Sequence, residues 1–369
     1  MHERADAMKI SFVIPGDLDQ PTGGYGYARQ IIAAWQSAGI EVATISLPGD
    51  FPHPSGATLE ESARVLAGLD PHSAILVDGL AFGALTPAII GKAPAPVNVL
   101  LHHPLGLEGD MPASTADRLL ATERAALGVA AHVIVTSPRT ASTVMDLFGL
   151  AASDITIALP GTAKQARARR QSDPPLILSV GSLIARKGHA DLVDALSRIS
   201  DLDWTAVIAG SLTASPQTVN TLRLQIGDHG LNGRITIMGA MQADALARLY
   251  QRASLFTLAT HYEGYGMVFA EAMSYGLPVV ACRGGAVADV VPDKAGILVE
   301  PRDRAGLAQA LAAVLEDKAL ADRLAAGAYQ CASHLPEWTQ TAERIAKALI
   351  APAAGSKRRR RQPNEAADR

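Results

Sequence analysis

Short apolar runs alternate with segments whose apolar residues recur every three or four positions, from one end of the chain to the other. Runs such as Ile10-Ser11-Phe12-Val13-Ile14 and Pro278-Val279-Val280-Ala281 are too short for helices and rich in β-branched residues, so they predict buried strands. The segments between them predict amphipathic crossover helices, and that alternation implies parallel sheets. In the first half, strands are expected at residues 9–14, 41–45, 73–77, 97–101, 132–136 and 154–158, with helices at 25–38, 80–90, 114–128 and 140–148. In the second half, strands are expected at 176–180, 205–208, 234–238, 254–258, 278–281 and 296–299. The matching helices are expected at 188–199, 216–227, 243–252, 267–275, 304–316 and 318–326. The fold class is therefore α/β, with two doubly wound parallel-sheet domains in series and no evident sequence repeat between them.

A chain of 369 residues is too long for one ordinary core, which agrees with two domains. The expected division is a first domain over 1–162, a linker over 163–175 and a second domain over 176–335. The linker is polar, carries Arg167, Arg169 and Arg170, and ends in Pro174-Pro175. A last helix over 336–351 is expected to pack back on the first domain, and residues 352–369 are expected to form a disordered basic tail. The 33 basic and 36 acidic residues leave a formal charge of −3, which argues against a general nucleic-acid binder. Two cysteines, Cys282 and Cys331, make no disulfide framework and fit a reducing compartment, so a cytoplasmic location is expected. The apolar stretch over 74–90 is broken by Asp78, Gly79, Gly83 and Pro87, which reads as strand, turn and helix rather than a membrane span. The run Ile10 to Ile14 is too short for a signal-peptide core. In the tail, Lys357 to Arg361 read as a solvated run; the sharper alternative is weak contact with an anionic membrane, peripheral at its inner surface.

Candidate chemistry gathers in loops that follow strands, where open parallel sheets bind ligands. The most informative run is His261-Tyr262-Glu263-Gly264-Tyr265-Gly266-Met267-Val268-Phe269-Ala270-Glu271. Gly264 and Gly266 predict a loop, with a helix opening near Met267 and Glu271 about one turn inside it. Both carboxylates then flank a helix start whose free N–H groups suit an anion. Acids for hydroxyls and a helix end for phosphate describe a nucleotide-sugar site. Alone, two such glutamates read equally as a cap and a surface charge; the glycines and the helix-to-strand run from Ser274 to Ala281 favour the site.

Other loops add to this. Pro21-Thr22-Gly23-Gly24-Tyr25-Gly26 opens a helix and suits a phosphate, although it departs from the dinucleotide fingerprint and a bare tight turn is its bland reading. His102-His103-Pro104 follows a strand; adjacent extended positions point opposite ways, so one imidazole, not a metal pair, is expected near a sugar hydroxyl or acceptor. In Val180-Gly181-Ser182-Leu183-Ile184-Ala185-Arg186-Lys187-Gly188, two cations at a helix start oppose its dipole, which suggests an anion between them. The bland reading is an exposed basic pair. Arg283-Gly284-Gly285 reads as a further flexible turn, and 207–211 and 238–241 as loop beginnings suited to hold a nucleobase through backbone groups.

Together these motifs resemble the family 4 type of retaining glycosyltransferases, which have the GT-B fold of two Rossmann-like domains facing each other across a cleft. The resemblance spans nearly the whole chain and is densest over 180–300, where Glu263…Glu271, Gly181…Arg186-Lys187-Gly188 and Gly284-Gly285…Asp289 occur in the family's order. It implies transfer of a hexose-type sugar from a nucleotide-diphosphate donor, with no further cofactor; the scattered histidines predict no metal site. By position it implies that Glu271 binds the donor ribose and Glu263 the sugar hydroxyls. Lys187 with Arg186 would neutralise the diphosphate, and Gly23 and Gly24 would contact phosphate from the first domain. Gly181, Ser182, Gly264, Tyr265 and Gly266 would complete the donor pocket, and His103, rather than His102, would stand near sugar and acceptor. The chain departs from the family at Ser182, where relatives often carry an arginine, and at Asp289, where glutamate is more usual; Arg186 is expected to compensate for the first. Retention is the family's implication, since no carboxylate is evidently placed as nucleophile. The alternatives are another GT-B enzyme, such as a nucleotide-sugar epimerase or phosphorylase, and a catalytically idle nucleotide-sugar scaffold. The acceptor, whether glycan, lipid-linked or a small molecule, is expected to be chosen by loops 47–57 and 104–114.

Overall fold

A computed structural model describes residues 8–350 except 110 and 171. The first domain runs β1 (Lys9–Pro15), α1 (Gly23–Ser37), β2 (Glu41–Leu47), α2 (Gly56–Ala67), β3 (Ala74–Asp78), α3 (Gly79–Phe82), α4 (Pro87–Ile90), β4 (Val97–Leu101), α5 (Ala113–Leu127), β5 (His132–Val135), α6 (Pro138–Phe148) and β6 (Ile155–Ile157). The second runs β7 (Leu176–Val180), α7 (His189–Ser197), β8 (Thr205–Ala209), α8 (Pro216–Asp228), β9 (Ile235–Met238), α9 (Ala243–Arg252), β10 (Leu255–Leu258), α10 (Met267–Ser274), β11 (Val279–Cys282), α11 (Val287–Val290), β12 (Gly296–Val299), α12 (Arg304–Glu316) and α13 (Lys318–Ala332). A last helix, α14 (Trp338–Ile350), follows.

The strands form two six-stranded parallel sheets, ordered β2-β1-β3-β4-β5-β6 and β12-β11-β10-β7-β8-β9. Strands such as β4 and β7 are buried along their whole length, as expected where helices cover both faces. The strand order reverses between β1 and β3 in one sheet and between β7 and β10 in the other. Loops leaving these neighbouring strands diverge to opposite faces and open a crevice, which is where such sheets place ligands.

Helix α14 crosses back to the first domain. Trp35 Nε1 donates to Ala342 O at 2.8 Å, Thr341 Oγ1 to Leu159 O at 2.7 Å, and Ile345 is fully buried with Phe12, Tyr27 and Ile31. Residues 163–170, expected as a linker, run along the second domain. Ala168 N donates to Tyr275 O at 2.8 Å, and Tyr329 OH to Gln165 O at 3.1 Å. The chain passes between domains at 161–162 and 336–338, where Thr162 N donates to Pro336 O at 2.8 Å and Gly161 lies against the backbone of Trp338 with no room for a side chain.

Several expected elements are corrected. The single helix over 80–90 is two short ones, because Thr86 caps a new start by accepting from Ile89 N, and Pro87 belongs at a first turn rather than in a helix interior. Helix α2 was hidden by Pro52, Pro54 and Gly56; Ser55 caps it by accepting from Thr58 N, and Asp50 accepts from Ser55 N. It claims the end of the expected acceptor loop 47–57. The helix expected to stop at 326 continues to Ala332, with Gly327 pressed against Lys294 O. Residues 352–369, including Lys357 to Arg361, lie outside the described residues.

Candidate functional site

After β7 the chain makes a 3-10 turn, Ala185–Lys187, and Gly188 at φ +65° redirects it into α7. A Cβ at Gly188 would collide with Ala259 O, so only glycine allows this turn to lie against the end of β10. The turn sets Lys187 Nζ 2.6 Å from Glu263 Oε1, with the Arg186 guanidinium 3.8 Å from Oε2. The three side chains are only 14%, 11% and 8% exposed, so the pair is held out of bulk water. Burial pushes the Glu263 carboxyl up, but Lys187 and Arg186 outweigh it and hold it below the ordinary carboxylate value. Arg186 Nη1 also donates to Tyr262 O at 2.5 Å, which ties it to the same loop.

Glu263 is fixed through its backbone as well. Its N–H donates to Gly284 O at 3.2 Å and its carbonyl accepts from Ala286 N at 2.9 Å. The expected flexible turn at Arg283-Gly284-Gly285 is therefore a clamp: both glycines press on the 260–263 backbone where a side chain would not fit. Gly266, at φ +94°, then starts α10 without a side-chain cap. Helices α1 and α7 also start without one, so all three present uncapped N–H groups.

The facing wall belongs to the first domain. Gly23 and Gly24 open α1, and the His102 ring lies against Gly24, where an added Cβ would stand 3.3 Å from Nε2. His102 Nε2 is 3.7 Å from Asp78 Oδ2, and Asp78 caps α3 through Leu80 N at 2.9 Å. His103 Nε2 is 3.6 Å from Glu108 Oε1. Burial raises the Glu108 carboxyl, but His103, Arg186 and Lys187 together bring it below its usual value. The domains touch directly here. Thr140 Oγ1 reaches both His102 O at 3.3 Å and Gly264 O at 3.2 Å, Arg139 N donates to Asp289 Oδ2 at 3.2 Å, and Gly264 has no space for a side chain beside His102 O.

The cleft between these walls has a volume of about 470 Å³. Its wall includes Gly23, Gly24, His103, Gly181, Ser182, Arg186, Lys187, Glu263, Gly264, Tyr265 and Gly266, with Ala209 to Ser211 and Ala240-Met241 toward one end. Glu271 is the exception among the expected residues. It sits in α10 beyond Met267 and Val268, which line the cavity, and its Oε2 accepts from Tyr250 OH at 3.2 Å. Burial pushes the Glu271 carboxyl up to about 7, only partly opposed by that hydrogen bond.

Sequence reasoning missed several residues in the wall and behind it. His102 lines the cavity together with His103, because the chain leaves its extended course at the end of β4, so alternation does not separate the two rings. Asp78 was discoverable, since it directly follows the strand expected at 73–77. His189 was not: it is fully buried, its Nε2 donates to Ser182 O at 3.3 Å, and burial lowers its pKa to about 4, so it braces the Gly181-Ser182 loop as a neutral ring. Among the described residues no group of three or more His, Cys, Asp or Glu is placed to hold a metal, and no helix is long and apolar enough to cross a membrane.

Residues 162–331 match the family model described as glycosyl transferases group 1. The chain is 31% identical over 227 residues to the glycogen synthase of Mycobacterium tuberculosis (strain CDC 1551 / Oshkosh), covering 60% of this chain and 53% of that one. It is 34% identical over 182 residues to the D-inositol 3-phosphate glycosyltransferase of Xylanimonas cellulosilytica, covering 49% and 43%. The chain thus spans about half the length of the curated relatives it matches. Among solved structures, sucrose-phosphate synthase from Thermosynechococcus elongatus aligns over 92% of this chain and 98% of its own at a TM-score of 0.78 and 21% identity. Anabaena HepE in complex with UDP and glucose aligns over 93% and 100% at 0.75 and 21%. The fold is GT-B.

Proposed function

We propose that the protein is a retaining, metal-independent glycosyltransferase that moves a hexose-type sugar from a nucleotide-diphosphate donor to a hydroxyl acceptor. The observation that carries this reading is the buried Lys187–Glu263 pair, set between the uncapped starts of α7 and α10 and facing the glycine start of α1. An anion held there meets Lys187, Arg186 and free backbone N–H groups before any bond breaks. Cleavage of the anomeric carbon–phosphate bond leaves negative charge on the diphosphate, which these groups are preorganised to stabilise. Glu263, kept ionised by its cations, is suited to accept from the hydroxyls of the transferred sugar. Glu271 would take the ribose by turning from Tyr250 toward the cavity, and the backbone of 209–211 and 240–241 is suited to the nucleobase. His103, beside Glu108, is placed for the reacting sugar or acceptor. UDP and glucose bound to HepE, which shares the fold, support a nucleoside diphosphate as leaving group. The two cysteines are both unpaired, which supports a reducing, cytoplasmic setting.

A thermal-shift screen over UDP, GDP, ADP and TDP sugars, followed by turnover over an acceptor panel with and without EDTA, tests the reading. One donor class should stabilise the protein, by about 2.7 kcal/mol at a hundredfold excess over Kd. Turnover should release the nucleoside diphosphate, keep the anomeric configuration and survive the chelator. No shift with any nucleotide sugar, or loss in EDTA with rescue by magnesium, would overturn it.

A further inference from the structure

A second recess, of about 290 Å³, lies between the domains and is lined by Gly109 of the first and by Arg186, His261, Tyr262, Pro301 and Arg302 of the second. It shares only Arg186 with the large cavity. Among the described residues its wall contains cationic and hydrogen-bonding side chains and no carboxylate. Arg302 adopts φ +69°, a left-handed conformation that a long side chain rarely takes and that tends to mark ligand contacts. The acids flanking it are already engaged: Glu300 with Arg283 at 3.2 Å, and Asp303 with Gly306 N at 2.8 Å. Arg186 Nε is buried without a hydrogen-bond partner among the described residues. His261 Nε2 is 2.7 Å from Asp191 Oδ2, and Arg304 Nε is 2.6 Å from the same carboxylate's Oδ1. That buried acid holds the ring and leaves Nδ1 as the nitrogen free to serve the recess.

We propose that this recess is a binding site for a phosphate monoester. Two guanidinium groups and an imidazole suit phosphate geometry. A monoester fits better than a carboxylate, because when singly protonated it offers an O–H donor as well as acceptors, and so can pair with an imidazole nitrogen in either state. Either the glycosyl acceptor or a separate small ligand supplies the phosphate. The acceptor version rests on the transferase reading; the site itself does not.

Calorimetric titration of the full chain with inorganic phosphate tests the site, comparing wild type with Arg302→Ala, His261→Asn and Lys187→Ala. Whatever phosphate the large cavity takes up through Lys187, the Lys187→Ala variant should still bind phosphate at the recess, and Arg302→Ala and His261→Asn should each raise the Kd of that binding about tenfold, as loss of one charge-assisted hydrogen bond does. No phosphate binding by wild type, or binding abolished by Lys187→Ala and untouched by Arg302→Ala and His261→Asn, would overturn the proposal. The second outcome would assign the ion to the large cavity. Titrations with glucose 6-phosphate and glycerol 3-phosphate separate the sources: tighter binding than inorganic phosphate indicates an organic monoester, and equal binding indicates free phosphate. These measurements need no nucleotide sugar, so their failure is distinct from failure of the transferase reading.

Discussion

Lys187 and Glu263 sit 76 positions apart and meet at 2.6 Å in a site sheltered from water. Removing one partner has two separable consequences. Lys187→Ala should lower kcat/KM about 100-fold by deleting a leaving-group contact, and should also destabilise the protein by about 3 kcal/mol by stranding a buried carboxylate. The double variant Lys187→Ala/Glu263→Gln should regain much of the stability in urea titrations and none of the activity. Arg186→Ala should also lose activity heavily, because Ser182 supplies no cation at the diphosphate. Near-normal kinetics for Arg186→Ala, beside a large loss for Lys187→Ala, would refute that compensation. Glu271 gives a pH signature. Its carboxyl titrates near 7 in the folded protein, so the ionised form that accepts from ribose hydroxyls appears as pH rises, and donor KM should fall through that region. Glu271→Gln should flatten this limb of the pH profile.

Helix α5 carries a buried acid that acts on its neighbouring loop. Glu123 Oε2 accepts from Leu105 N at 3.0 Å and so holds the short turn that follows His103 and Pro104, while Oε1 has no partner. Burial raises the carboxyl to about 8, against the single opposing bond. A group whose folded pKa exceeds its unfolded one stabilises fully below the unfolded value, and that contribution is lost as pH rises through the folded value. Stability should therefore decline between about pH 4.5 and 8. Glu123→Gln, which mimics the protonated acid, should be more stable than wild type at pH 9, by up to about 5 kcal/mol, and little different at pH 5. Equal slopes for the two proteins across this range in denaturant titrations would rule the effect out. Periodicity had placed α5 correctly as an element, yet it says nothing of Glu123, whose charge suggests solvent. Only the contact with Leu105 explains why an acid lies on the buried face.

At the scale of the molecule, α14 is the last helix of the described chain but part of the first domain's core. Ile345 and Trp35 are packed there, so Ile345→Ala should destabilise by about 2–5 kcal/mol. The loss should appear in the unfolding of the first domain, followed by amide exchange, even though the substitution lies beyond the second domain in sequence. An effect confined to amides of 176–332 would contradict this assignment. The two crossing points at 161–162 and 336–338 lie side by side, and the 163–170 segment is strapped to the second domain. Any relative motion of the domains would therefore be concentrated at the paired crossings and would break the small contacts of Thr140 and Arg139.

The apolar period and glycine placement were enough to identify two parallel sheets, the glycine-opened helices and the loop that holds Glu263, because each depends on residues close together in sequence. Strand ends and glycines at forced turns are local facts. What the pattern left undecided were contacts between distant segments: the ion pair of Lys187 with Glu263, the clamp of Gly284 and Gly285, the neutral His189, and Glu271 turned onto Tyr250 rather than lining the cavity. Local propensity acts within a few residues, whereas burial and charge pairing arise only when β7, β10 and β11, distant in sequence, lie side by side in the second sheet. For that reason the sequence determined which loops carry chemistry, and the tertiary structure alone decided which side chains face one another within them.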